Sequence, residues 1–301
     1  MSTPTESLPK DSFANVSDGQ GAPAEPTAAP AAPDPDNPPW SAPGAVGFWV
    51  LSIFLIFLMP TIFVVPYIIG QRVSLEALPE FAVNDKTAVF LQIVSTIPAH
   101  LLTLGAAWLL VTRVGKFPFR AALGWVWDER FNFWKSAGLA VGLYVVGVTL
   151  IFLLDGPETP LDKILQSSRL TAVTVAFMAT ATAPLVEEVT YRGVLYSALR
   201  RAVGARWAVA VVLTLFALVH VPQYWPNFGV LIAILMLSAV LTLVRARTGK
   251  LLPCFIIHLV FNGIQSVLIV LEPYLRQFLP EQMRTTEPGL ATLLSLLGLP
   301  L

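Results

Sequence analysis

The chain has 301 residues, 55% of them hydrophobic and 13% charged, with a mean hydropathy of +0.69; a soluble globular protein carries about a quarter charged residues, so this one reads as a membrane protein. Nineteen Lys and Arg balance nineteen Asp and Glu, which leaves no basic surplus for nucleic acid and no acidic one for a solvating chain. The single cysteine, Cys254, lies in an apolar stretch without a partner, so a disulfide framework and a Cys-based metal site are excluded and any chemistry falls to Asp, Glu, His, Ser or Asn.

Residues 1–43 hold ten of the 25 prolines, many Ala, Ser and Thr, acids such as Asp34 and Asp36, and Lys10 as the one base. That composition predicts a disordered Pro/Ala-rich tail. The first apolar run begins near Gly44 and lacks the basic n-region and short core of a secretory signal, so it is read as a retained helix. Runs of spanning length then recur at about 44–69, 87–112, 133–154, 170–199, 207–225, 229–244 and 251–271, separated by short charged, Pro or Gly segments. The expected fold is all-α: a polytopic transmembrane bundle of seven helices, plus or minus one, filling residues 44–301. Pro288–Leu301 is apolar but too short to cross, and is expected to lie at the interface or re-enter. No internal repeat is found.

Basic residues near helix ends are retained on the cytoplasmic side. With the tail inside, the inner segments hold eleven bases, among them Arg113, Arg120, Arg200, Arg201, Arg245 and Lys250, and the outer ones six, among them Arg72, Lys163 and Arg169. The expectation is a multi-pass protein of the plasma or cell membrane with a cytoplasmic N-terminus. Trp125, Trp127 and Trp134 fall in one inner loop and read as an interfacial aromatic anchor.

Ionisable side chains at membrane depth are costly and mark function by default. Three segments carry them: Glu187, Glu188, Tyr191 and Arg192 in the fourth span, Phe216 and His220 in the fifth, His258 and Asn262 in the seventh. Counting helix rise from the inner bases puts Glu187 about 20 Å, His220 about 21 Å and Asn262 about 18 Å deep, one common level. Glu188 and Arg192, four apart with the acid first, are expected to form a buried structural ion pair. Glu187 is turned about 100° away and left without that partner, free to act as a general base. His258 and Asn262 share a face and could hold one substrate oxygen. Phe216 is expected to pack beside His220, and Tyr191 either to donate to Glu187 or to pack. His100 in the second span reads as a packing residue, and Ser52, Ser95, Ser238 and Ser266 lack an accompanying acid and base.

The ordered set Glu187-Glu188-x-x-x-Arg192, Phe216-x-x-x-His220 and His258-x-x-x-Asn262 resembles the CPBP family of CAAX proteases and bacteriocin-processing enzymes, also called the Abi family, which includes the type II CAAX prenyl endopeptidases. The resemblance covers about 170–270, with Tyr191-Arg192-Gly193 and Thr248-Gly249-Lys250-Leu251 as flanking features and no departure at a motif position.

The resemblance implies an intramembrane endopeptidase acting on a membrane-associated peptide or protein, prenylated in one branch of the family, and the bias of basic residues puts the site's opening on the cytoplasmic side. Glu187 and His220 would activate water, and His258 and Asn262 would stabilise the oxyanion. Glu187, His220 and His258 could instead supply a zinc site with an open position, but no His-Glu-x-x-His helix is present and direct activation without a cofactor is the favoured expectation. The contrasting reading is a non-catalytic transporter, immunity or scaffold protein whose buried Glu/Arg/His cluster relays protons or holds helices together. The matching halves often seen in carriers are not found in the sequence.

Overall fold

The computed structural model of the chain describes residues 33–277. Among them seven helices are long and apolar enough to cross a membrane: α1 (Ala42–Gly70), α2 (Lys86–Thr112), α3 (Phe133–Leu154), α4 (Arg169–Val203), α5 (Ala205–Tyr224), α6 (Phe228–Thr248) and α7 (Leu252–Leu275). The expected bundle is therefore present, and the protein is a multi-pass membrane protein. Helices are the outcome that hydrocarbon enforces, since each backbone N–H and C=O must find its partner within the segment. Pro288–Leu301 and residues 1–32 of the tail lie outside the described residues.

Side chains set the helix ends. Ser41 accepts from the Gly44 N–H to start α1, Asp85 from Thr87 and Ala88 for α2, Asn132 from Lys135 for α3, and Asn227 from Val230 for α6. Each satisfies a donor that the first helical turn leaves open. Gly249 closes α6 in the left-handed region at φ 68°, where a residue without a Cβ pays no steric penalty. Pro60 and Pro66 lie inside α1, a placement that spanning helices tolerate.

α3 packs on α6 and α7, α4 on α7 through its first half, α5 on α6, and α1 on α2. At the α3–α6 crossing a Cβ on Gly229 would meet Ile151 Cα at 2.8 Å, so the absent side chain is what lets the two backbones approach. One buried cluster gathers Tyr191, Val194, Leu195, Tyr196, Phe216 and Leu251; a second joins Ala140 and Leu143 of α3 to Leu237 and Leu241 of α6 and Cys254 and Ile257 of α7. The first includes Tyr191 of the α4 motif.

Two expectations change. The described part of the tail is held against the helices rather than free: Trp40 is 5% exposed, and its indole N–H donates to the Val194 carbonyl of α4 at 3.1 Å. The anchoring Trp cluster also divides, since Trp134 is 79% exposed whereas Trp125 packs its ring 5.0 Å from Phe255. Position in a loop does not decide which way a Trp points; here α7 begins beside Trp125 and covers it.

Candidate active site

α4 is built from unlike pieces. Arg169–Ala181 is α-helical, the helix breaks at Thr182, and a short α segment follows over Ala183–Glu187 with Pro184 in its first turn. Proline removes a backbone donor and crowds the preceding turn, which accounts for the break. Glu188–Leu195 is a π-helix, and the α form resumes over Tyr196–Val203. Such π segments inside α-helices occur frequently at functional sites. This one carries Glu188, Tyr191 and Arg192, all buried.

Glu188 and Arg192 form the expected pair, Nη1 to Oε1 at 3.0 Å, both side chains fully enclosed. A turn closing i→i+5 keeps residues four apart on one side, so the pairing survives the change of helix type. The remaining guanidinium donors reach α6: Nη2 donates to the Ser238 hydroxyl at 2.9 Å and Nε to the Thr242 hydroxyl at 3.3 Å. Its carbon lies 4.4 Å from the centre of the Phe216 ring. One buried cation thereby ties α4, α5 and α6, the multiple partnering that a charge out of water requires.

His258 binds this pair from α7. Its Nδ1 donates to Glu188 Oε1 at 2.8 Å, and its Nε2 lies 3.7 Å from Glu187 Oε2. Glu187 is therefore not alone, as spacing within α4 suggested; its partner comes from a helix some seventy residues further on, which periodicity cannot reveal. The two acids differ in access, with 23% of the Glu187 side chain exposed and none of Glu188.

His220 is fixed by its own helix, Nδ1 donating to the Phe216 carbonyl at 2.7 Å. Its ring lies 4.6 Å from that of Phe216, as expected, and stacks at 6.5 Å on Tyr224. Tyr191 packs edge-on against Phe216 at 5.1 Å; of its two expected roles, packing is the one observed. Phe216 is 1% exposed and touches both imidazoles, its ring 6.0 Å from His258. Asn262 donates Nδ2 to the Ala179 carbonyl of α4 at 2.9 Å. Among the described residues no hydrogen bond or ion pair joins Glu187 to His220.

Both imidazoles are oriented through Nδ1, which leaves Nε2 of each for another partner, in His258 the Glu187 carboxylate at 3.7 Å. That suits a proton acceptor, and second-shell hydrogen bonds orient a metal-binding imidazole in the same way. Among the described residues, however, no three of His, Cys, Asp and Glu are grouped to hold a metal ion. The set Glu187, His220 and His258 does not close around a common point in this arrangement.

Three contributors escape sequence reasoning. His100 is 7% exposed, bonds Thr182 through Nδ1 at 2.9 Å, and lies near enough to Glu187 for that charge to act on its ring. A histidine in a mid-span position is the available signal. Ser238 and Thr242 look like scattered hydroxyls until Arg192 is seen to reach them.

Beside Asn262 an apolar crevice of about 910 Å³ runs between the first half of α4 and α7, lined by Val173, Phe177, Leu259, Val260 and Gly263 among others. Residues 169–264 match the family model described as Type II CAAX prenyl endopeptidase Rce1-like. No curated protein and no solved structure matches the chain.

Proposed function

We propose that this membrane protein, whose residues 169–264 fit the Rce1-like family, is an intramembrane endopeptidase that hydrolyses a peptide bond with water activated by Glu187 and His220. The observation that carries the reading is the linked cluster of Glu187, His258, Glu188 and Arg192 inside spanning helices, within the matched residues. A buried polar network of this kind is costly in a bilayer and calls for a task.

Roles follow from access and donor chemistry. Glu187, the exposed acid, takes a proton from water as the oxygen attacks the scissile carbonyl carbon. Nε2 of His220, left open because Nδ1 serves Phe216, orients that water and relays the proton to the amide nitrogen as the C–N bond breaks. The oxyanion is met by the second hydrogen of the Asn262 amide, the first being used on Ala179, and by Nε2 of His258. Glu188 and Arg192 hold His258 and take no proton.

The crevice beside Asn262 supports a substrate with an apolar portion, entering from the lipid, and the basic-residue bias supports a site opening to the cytoplasm at the cell membrane. The test is cleavage of matched prenylated and unprenylated peptides by protein reconstituted in vesicles. Activity should persist after exhaustive chelation, with no stoichiometric metal in the purified protein. His258→Ala and Asn262→Ala should each lower kcat by about 10²–10³ with KM nearly unchanged. Joint loss of metal and activity on chelation, or loss of zinc on His258→Ala, would replace direct activation by a metal-generated nucleophile.

A further inference from the structure

The π segment of α4 leaves a backbone debt that other parts of the chain settle. Its last i→i+5 bond runs from the Tyr196 N–H to the Tyr191 carbonyl. In the α register that resumes there, the next N–H, of Ser197, belongs to Gly193. The carbonyl of Arg192 is passed over, and an unpaired carbonyl at membrane depth is costly. It accepts instead from Arg245 Nε at 3.2 Å. Two residues on, the Val194 carbonyl accepts from the Trp40 indole N–H.

Arg245 was expected in a cytoplasmic loop. α6 runs on to Thr248 and buries it completely. Its charge is met by Asp36, Nη1 to Oδ1 at 2.8 Å, while Nη2 donates to the Pro35 carbonyl and the Ser197 hydroxyl, each at 3.0 Å. Asp36 also accepts from Arg200 at 2.6 Å. Further arginines hold the same strap by its carbonyls: Arg113 on Pro39, and Arg201 on Pro38 and Trp40. Proline suits this segment because it supplies carbonyl acceptors without adding N–H donors that would need partners.

We infer that Asp36, Trp40 and Arg245 are positioning residues: they form a clasp that holds α4 in its π register and so sets Glu187 and Glu188 against His258. The inference deepens the proteolytic reading and rests on it for its catalytic consequence, but the register itself can be measured independently. If the clasp opens, the cheapest repair for the Arg192 carbonyl is a return to uniform α-helix, which rotates the two acids relative to α7.

The test is hydrogen exchange at amides 188–198 of the full chain in vesicles, with kcat and KM measured where a substrate is in hand. Asp36→Asn removes the counter-charge of Arg245, and Trp40→Phe removes one N–H while keeping an aromatic ring in place. Each should raise exchange in 188–198 by about fivefold or more, the worth of one buried hydrogen bond, and leave α3 and α7 unchanged. kcat should fall with KM unaltered. Glu187→Gln should abolish turnover without changing exchange, so failure of the proteolytic reading leaves the exchange result standing. Should Asp36→Asn not fold, Trp40→Phe decides alone. Wild-type exchange at 188–198 in Trp40→Phe, or a rise spread equally over the spans, would overturn the inference.

Discussion

Glu187 and Glu188 are neighbours with opposite surroundings. Glu188 has its Oε1 shared between Arg192 and His258 and no exposed surface, whereas Glu187 meets His258 at ion-pair distance and keeps an opening for water. The helical offset between them was legible from residue spacing; the identity of the partner was not, because His258 arrives from α7. Glu188→Gln should lower folded yield and thermal stability by about 3–5 kcal/mol, since Arg192 would stay buried without its counter-charge. Glu187→Gln should keep the wild-type unfolding profile in the same detergent and lose turnover. Exchange of these two phenotypes would reverse the assignment of structural and catalytic acid.

Among the elements, the seven spans were readable because length and apolarity are local properties, and the observed helices start and stop within a few residues of the expected runs. The three motif segments also meet in space, with Phe216 beside both His220 and His258 and Glu187 beside His258. The π segment was not readable. Counting 3.6 residues per turn presumes one helix type, and nothing local in Glu188–Leu195 announces the wider turn whose passed-over carbonyl is met by α6. The strap at 34–40 escaped for a related cause: its composition is that of a disordered chain, and its fixed partners are distant in sequence, Arg113 beyond α2, the Val194 carbonyl and Arg200 and Arg201 of α4, and Arg245 of α6. Low hydrophobicity identifies a segment unable to build its own core, and says nothing about whether another part of the chain binds it.

At the scale of the whole molecule, Cys254 makes orientation directly measurable. It is the chain's single cysteine and is fully buried, so a new surface thiol can be labelled without background. Arg120→Cys, beyond α2, should react with a membrane-impermeant reagent only from the cytoplasmic side, and Glu158→Cys, between α3 and α4, only from outside. The reverse pattern would turn the site's opening away from the cytoplasm and require substrates to arrive from the other face.

Proteolysis itself is tested most directly by mapping protein termini in membranes from cells carrying the wild-type chain and from cells carrying Glu187→Gln at equal abundance. New termini on membrane-associated proteins should be present with the wild type and absent with the variant, the uncut precursors accumulating in their place. Identical sets of termini in the two membranes would contradict an endopeptidase based on Glu187.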